Sequence, residues 1–153
     1  MKKTISIMTT LLLLSLFAAP SAFSLWGNKA KNLTPQNGVV KIPTKDISDG
    51  KAHYFKVKAK DDIEVTFFTL MSTDGVIRAA VDSCDVCYRS GKGYIQEGDF
   101  MVCTNCGRKF AASRINEVKG GCNPAPLERN IIGADLVISM AVINQNSWYC
   151  KFK

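Results

Sequence analysis

Two short cysteine pairs constrain this chain more than anything else in it. Cys84-x2-Cys87 and Cys103-x2-Cys106 are separated by fifteen residues, a spacing inside the range of four-thiolate metal sites. Each pair can curl into a tight knuckle that aims two sulfurs at one point and leaves backbone N–H groups free to bond to them. Two knuckles on successive hairpins then complete a tetrahedron around one Zn or Fe ion, with metal–sulfur bonds of ~2.3 Å. Gly107 follows the second pair, where a conformation easy only for glycine is often needed. The alternative is oxidation. The six cysteines are even in number, and an exported chain meets a compartment that favours disulfides. A disulfide within Cys-x-x-Cys closes a very short loop, however, and such bonds are usually redox-active rather than structural. Neither pair opens a helix in the manner of a thioredoxin site. The metal reading leads, and a dithiol redox role stands behind it.

Cys122 and Cys150 remain. Their simplest use is a disulfide joining the Gly-Gly-Cys-Asn-Pro loop to the last predicted strand. Closing that ~29-residue loop would contribute roughly 3.6 kcal/mol in the chain-entropy picture. The sharper reading makes Cys122 an extra ligand, or a reactive thiol beside the metal.

The N-terminus reads as an address. Lys2 and Lys3 precede an apolar run from Ile5 to Ala19, then Pro20 and the small residues Ser21 and Ala22. That order predicts a secretory signal peptide over residues 1–24, cleaved near Ser24. The run falls short of the ~20 apolar residues a spanning helix needs. Periplasmic or secreted localisation follows. Loss of Lys2 and Lys3 takes the net charge from +7 to +5. A surplus of that size gives at most weak attraction to an anionic membrane surface. The lysines are scattered without interleaved aromatics, so nucleic acid is not a predicted partner.

Residues 25–37 carry Gly, Asn, Lys, Pro and Gln without periodicity and read as a linker. A single β domain is predicted over 38–153. Val39 to Ile42 makes a short strand closed by Pro43. Residues 52–58 and 63–70 alternate polar and apolar, and Asp74-Gly75 is a hairpin turn leading into residues 76–81. These three or four strands are expected to form an antiparallel platform that ends where the cysteines begin. Tyr94 to Gln96 and Phe100 to Val102 flank a Gly98-Asp99 turn. Residues 110–119 suggest one short helix capped by Gly120, and residues 134–143 and 148–152 suggest two closing strands. The expected fold is mostly β, a small antiparallel sheet or partial barrel with a zinc-ribbon- or rubredoxin-like two-knuckle insertion.

Other chemistries are thinly represented. His53 is the only histidine, which excludes a two-His Rieske centre, and it reads as a strand residue with a satisfied ring. No phosphate loop, nucleophile elbow or His-containing triad is present. Four sulfur ligands with no open position suit structure or one-electron transfer rather than hydrolysis, so a metal-binding or electron-transfer protein is expected rather than an enzyme.

Taken together, Asp82-Ser83-Cys84-Asp85-Val86-Cys87-Tyr88, Gly93 to Asp99, Cys103-Thr104-Asn105-Cys106-Gly107-Arg108-Lys109-Phe110 and Gly120-Gly121-Cys122-Asn123-Pro124 resemble the FtrD-like family of bacterial membrane iron–sulfur proteins. The resemblance implies a periplasm-facing redox or metal-handling domain associated with iron uptake. Its cysteine positions carry over to Cys84, Cys87, Cys103, Cys106 and Cys122. It implies membrane components of an iron-uptake system, or a redox partner, as associates. Longer members carry several membrane helices, whereas this chain has only the signal-like segment. The leader also lacks a twin arginine, the mark of export in a folded, cofactor-loaded state. One Fe or Zn ion acquired outside is therefore favoured over a preassembled iron–sulfur cluster.

Overall fold

The computed structural model describes residues 30–153, so the leader assigned to residues 1–24 lies outside the described residues. Ten strands follow in chain order: β1 (Lys31–Leu33), β2 (Val39–Pro43), β3 (His53–Lys58), β4 (Glu64–Met71), β5 (Ile77–Val81), β6 (Tyr94–Glu97), β7 (Phe100–Cys103), β8 (Lys109–Ala111), β9 (Asn130–Ile132) and β10 (Asp135–Ser139). One α-helix, α1 (Met140–Asn146), occurs among the described residues. The strands form three sheets in the orders β1-β3-β4-β5, β2-β10-β9 and β6-β7-β8, with no closed barrel.

The four-stranded sheet is central because both of its faces are apolar. Strand residues alternate between faces. Phe55, Val57, Val65, Phe67, Ala79 and Val81 therefore share one face, and they pack with Val40, Ile42, Leu136, Ile138 and Ile143. Tyr54, Phe68, Leu70 and Ala80 share the other, against Tyr94, Met101, Ala112 and Ile115. The adjacent pair Phe67-Phe68 is thus one ring for each core, which explains why β4 departs from simple alternation. Antiparallel pairing sets Phe55 opposite Phe67 and Phe67 opposite Val81.

Several elements differ from the sequence reading. Lys31–Leu33, within the expected linker, pairs in parallel with β3. β2 leaves the platform and pairs with β10 almost a hundred residues later, Val40 opposite Ile138. The helix expected over 110–119 is absent. Lys109–Ala111 instead pairs with β7 as strand β8, Phe110 opposite Met101, and a short 3-10 turn follows at Ala112–Arg114. Asn116 adopts a left-handed φ of 72°, which ends any helix there. Its side-chain amide accepts from Ala79 N–H and donates to Ala79 O and Leu127 O, doing the work of a short strand beside β5. Only the first part of 134–143 is a strand. Ser139 caps α1 by accepting the Val142 N–H at 3.2 Å, and Ile143 drops into the core. The last predicted strand, 148–152, is replaced by a 3-10 turn at Ser147–Cys150.

Candidate metal centre

The first knuckle leaves the end of β5. Cys84 is fully buried, and its sulfur accepts the Cys87 N–H at 3.2 Å. The Cys84 carbonyl accepts Tyr88 N–H, and the Cys87 carbonyl accepts both the N–H and the hydroxyl of Ser90. The second knuckle is the tip of the β7–β8 hairpin. Gly107 N–H donates to Cys103 O at 2.8 Å with φ at +73°, the left-handed turn that glycine permits. Thr104 donates twice to Gly93 O, through its N–H and its hydroxyl, and so fastens this tip to the strand before it. Asn105 reaches across from the second knuckle, its amide donating to the Cys87 sulfur at 3.4 Å.

A third segment brings Cys122. Residues 125–127 run along the free edge of β5, with Val81 N–H donating to Ala125 O, Ala125 N–H to Ser83 O and Leu127 N–H to Ala79 O. The Tyr94 hydroxyl donates to the Cys122 carbonyl at 2.6 Å, and the Tyr54 hydroxyl donates to the Tyr94 carbonyl at 2.8 Å. Tyr54, Phe68, Tyr94 and Phe110 form a row of tilted and edge-on rings beneath the sulfurs, with centroids 5.9 to 6.3 Å apart.

The sulfurs assemble into two overlapping groups. Cys84, Cys87 and Cys122 lie within 4.8 Å of one another, as do Cys87, Cys103 and Cys106. Cys87 belongs to both. The five residues carried over by the resemblance therefore meet at one place, with Cys122 as the fifth sulfur rather than a disulfide partner. Cys150 sits elsewhere. It packs among the aliphatic residues on the opposite face of the central sheet, its sulfur 4.0 Å from Thr66 O, and both cysteines are free thiols. The sheet between them rules out the Cys122–Cys150 bond that the loop lengths suggested.

The electrostatics are graded. Cys106 is exposed, and a backbone N–H from Arg108 holds its thiol below the usual range. Burial pushes Cys103 up to about 11, against the two backbone donors of its own knuckle, and burial also raises Cys122. An all-thiolate set with N–H donors on the sulfurs fits soft transition-metal binding. The tetrahedral edge for one ion is about 3.8 Å for ~2.3 Å bonds, which fits inside the 4.8 Å within which each group of three sulfurs lies.

Asp82, Gly93 and Lys153 support the first knuckle through contacts that the sequence does not announce. Asp82 is buried beside the first knuckle, where its carboxylate accepts Tyr94 N–H at 2.7 Å and Lys153 Nζ at 2.7 Å. Burial raises its pKa, and Lys153 opposes that rise. Gly93 is what lets the carboxylate in, since a Cβ there would stand 2.2 Å from Asp82 Oδ2. The partners of this contact lie up to 71 residues apart, so no local pattern announces them. His53 bonds Asp49 at 2.7 Å as a strand residue with a satisfied ring.

A family model described as membrane iron-sulfur containing protein FtrD-like matches residues 47–149. No curated protein matches. Among solved structures, the quaternary ammonium Rieske monooxygenase CntA in complex with an inhibitor is similar at 15% identity and a TM-score of 0.44, over 72% of this chain and 32% of that one. The chain thus spans about a third of that enzyme's length.

Proposed function

Because this chain belongs to the FtrD-like family of membrane iron–sulfur containing proteins over residues 47–149, we propose that it is an exported, periplasmic iron-binding protein that serves iron uptake by one-electron transfer. The observation that carries this reading is the convergence of five sulfurs from three segments on one place, joined through Cys87. Iron held by thiolates supplies one-electron chemistry. The chain's own residues hold and shield it. Cys84, Cys87, Cys103, Cys106 and Cys122 are the ligand set, and Asn105 and the knuckle N–H groups stabilise negative charge on the sulfurs. The aromatic row keeps water from the inner side, while the exposed Cys106 leaves one edge open to a partner.

Metal analysis and visible absorbance of the chain purified from the periplasm test this. The expected result is bound iron with a thiolate-to-iron absorption band that bleaches on reduction, and loss of both in Cys87→Ser. A colourless zinc protein would reduce the centre to a structural ribbon. Two short-loop disulfides with no metal would replace the reading with a thiol–disulfide oxidoreductase.

A further inference from the structure

Beside the sulfur site, on the side away from the aromatic row, the 116–129 segment and α1 enclose an open cleft of about 610 Å³. That volume falls in the range of small-molecule sites, roughly 300–1,000 Å³. Its wall includes apolar surface from the half-buried Pro126 and Val142, and two cationic groups reach it, Lys119 and Arg129. We propose that this cleft binds a small oxyanion-bearing molecule, its carboxylate or phosphate gripped by Arg129 and Lys119.

The hydrogen bonds of Arg129 carry the argument. Its Nε donates to Ile77 O at 3.0 Å, which fixes the plane of the guanidinium. The two outer nitrogens have no acceptor among the described residues. A half-buried guanidinium held by one edge offers a preset fork, and that fork matches the two oxygens of a carboxylate or phosphate. The contrast with Arg78 is instructive. Arg78 is buried nearby and fully used, by Asp74, Glu117, Ser72 and Ile115 O. Burial of Arg129 and, after it, the positive charge of Arg78 disfavour the cation at position 129, and the Glu117 carboxylate nearby offsets them only in part. A bound oxyanion would supply a counter-charge bonded directly to the two outer nitrogens. Lys119 forms no ion pair among the described residues and lies on the same wall. Two carboxylates also line the cleft. Asp85, which accepts the Tyr149 hydroxyl, and the exposed Glu128 both oppose an anion. The cleft shares two loops with the sulfurs, since Asp85 follows Cys84 and Gly120 lies two residues before Cys122.

Calorimetric titration of the full chain with citrate and, separately, with inorganic phosphate tests the proposal and requires no metal-dependent readout. Saturable binding of either anion is expected, with citrate alone pointing to a carboxylate ligand and phosphate alone to a phosphorylated one. Arg129→Gln is expected to weaken it by about tenfold or more, the scale of a lost charge-assisted pair. Lys119→Gln is expected to weaken it by a few-fold and Glu128→Gln to tighten it. Lys119 and Glu128 are exposed, so these two variants decide the matter even where Arg129→Gln fails to fold. Failure of both anions to bind, or affinities indifferent to Lys119→Gln and Glu128→Gln, would overturn the proposal. Loss of the iron reading would leave it untouched.

Discussion

One face of the central sheet rests on Val40, Ile42, Leu136, Ile138 and Ile143, a core of branched aliphatic side chains with no role for chemistry. The other rests on tyrosines, a methionine and three buried cysteines, and beside them lie the less buried sulfurs of Cys87 and Cys106. The first face is held by burial of apolar area, which needs no cofactor. The second has glycine-rich connections and short strands, and a cation shared by its sulfurs would add cohesion of another kind. The same sheet therefore supports one half held by its own apolar core and one half that a metal would complete.

Removing the metal should separate the halves most sharply. Structural thiolate–metal sites contribute on the order of 10 kcal/mol. In Cys87→Ser, or after chelation, hydrogen exchange should accelerate in β6–β8 while β3 and β4 stay protected, and bound metal should fall to near zero. Equal loss of protection in all three sheets would erase the distinction. Phe67→Ala attacks the other side. It removes a fully buried ring from the aliphatic face and should cost about 4 kcal/mol, read by denaturant unfolding as a global loss. Arg78→Ala tests the seam between the halves, because this arginine ties the β4–β5 hairpin to the segment that carries Cys122. Its partner carboxylates are partly exposed, so the low end of the range for breaking a buried pair applies, about 3 kcal/mol.

Gly93→Ala acts at a single point on the metal side. The Cβ would strike Asp82 and impose a side chain at φ +72°, at an expected cost of about 2 kcal/mol with weaker metal retention. Titration with acid should give the smallest effect. The Ser72 hydroxyl, the Val76 N–H and Arg78 hold Asp74 at about 2, below its value in the unfolded chain. The stabilisation is therefore complete above pH ~4 and is lost as pH falls through 2. In Arg78→Ala that acid dependence should shrink, measured as a change in the slope of stability against pH.

Much of this architecture is legible in the sequence where contacts are local. The hairpins around Asp74-Gly75 and Gly98-Asp99 announce themselves through turn residues and alternation, and the cysteine spacing marks both knuckles. The elements that escaped are those decided by distant partners. Nothing near Lys31–Leu33 says that β3 offers it an edge, and β2 reaches its partner β10 only across most of the domain. Residues 110–119 have helical composition, yet β7 needs a neighbour, and Phe110 completes the ring row on Tyr94. Cys122 and Cys150 invited pairing because sequence spacing cannot show that a sheet stands between them. The Ser139 cap was visible in principle, but seven residues of helix leave too little periodicity to detect.

The route by which Cys122 arrives has a consequence for assembly. The second knuckle closes locally within the β7–β8 hairpin, whereas Cys122 depends on a ladder of bonds along β5 and on the Asn116 amide at Ala79. Closing contacts between residues far apart in sequence carries the larger entropy cost. The segment that carries Cys122 should therefore settle only once β5 is in place, and a metal that uses the fifth thiol would be fully enclosed last, so that maturation of the site would follow the order in which the backbone closes.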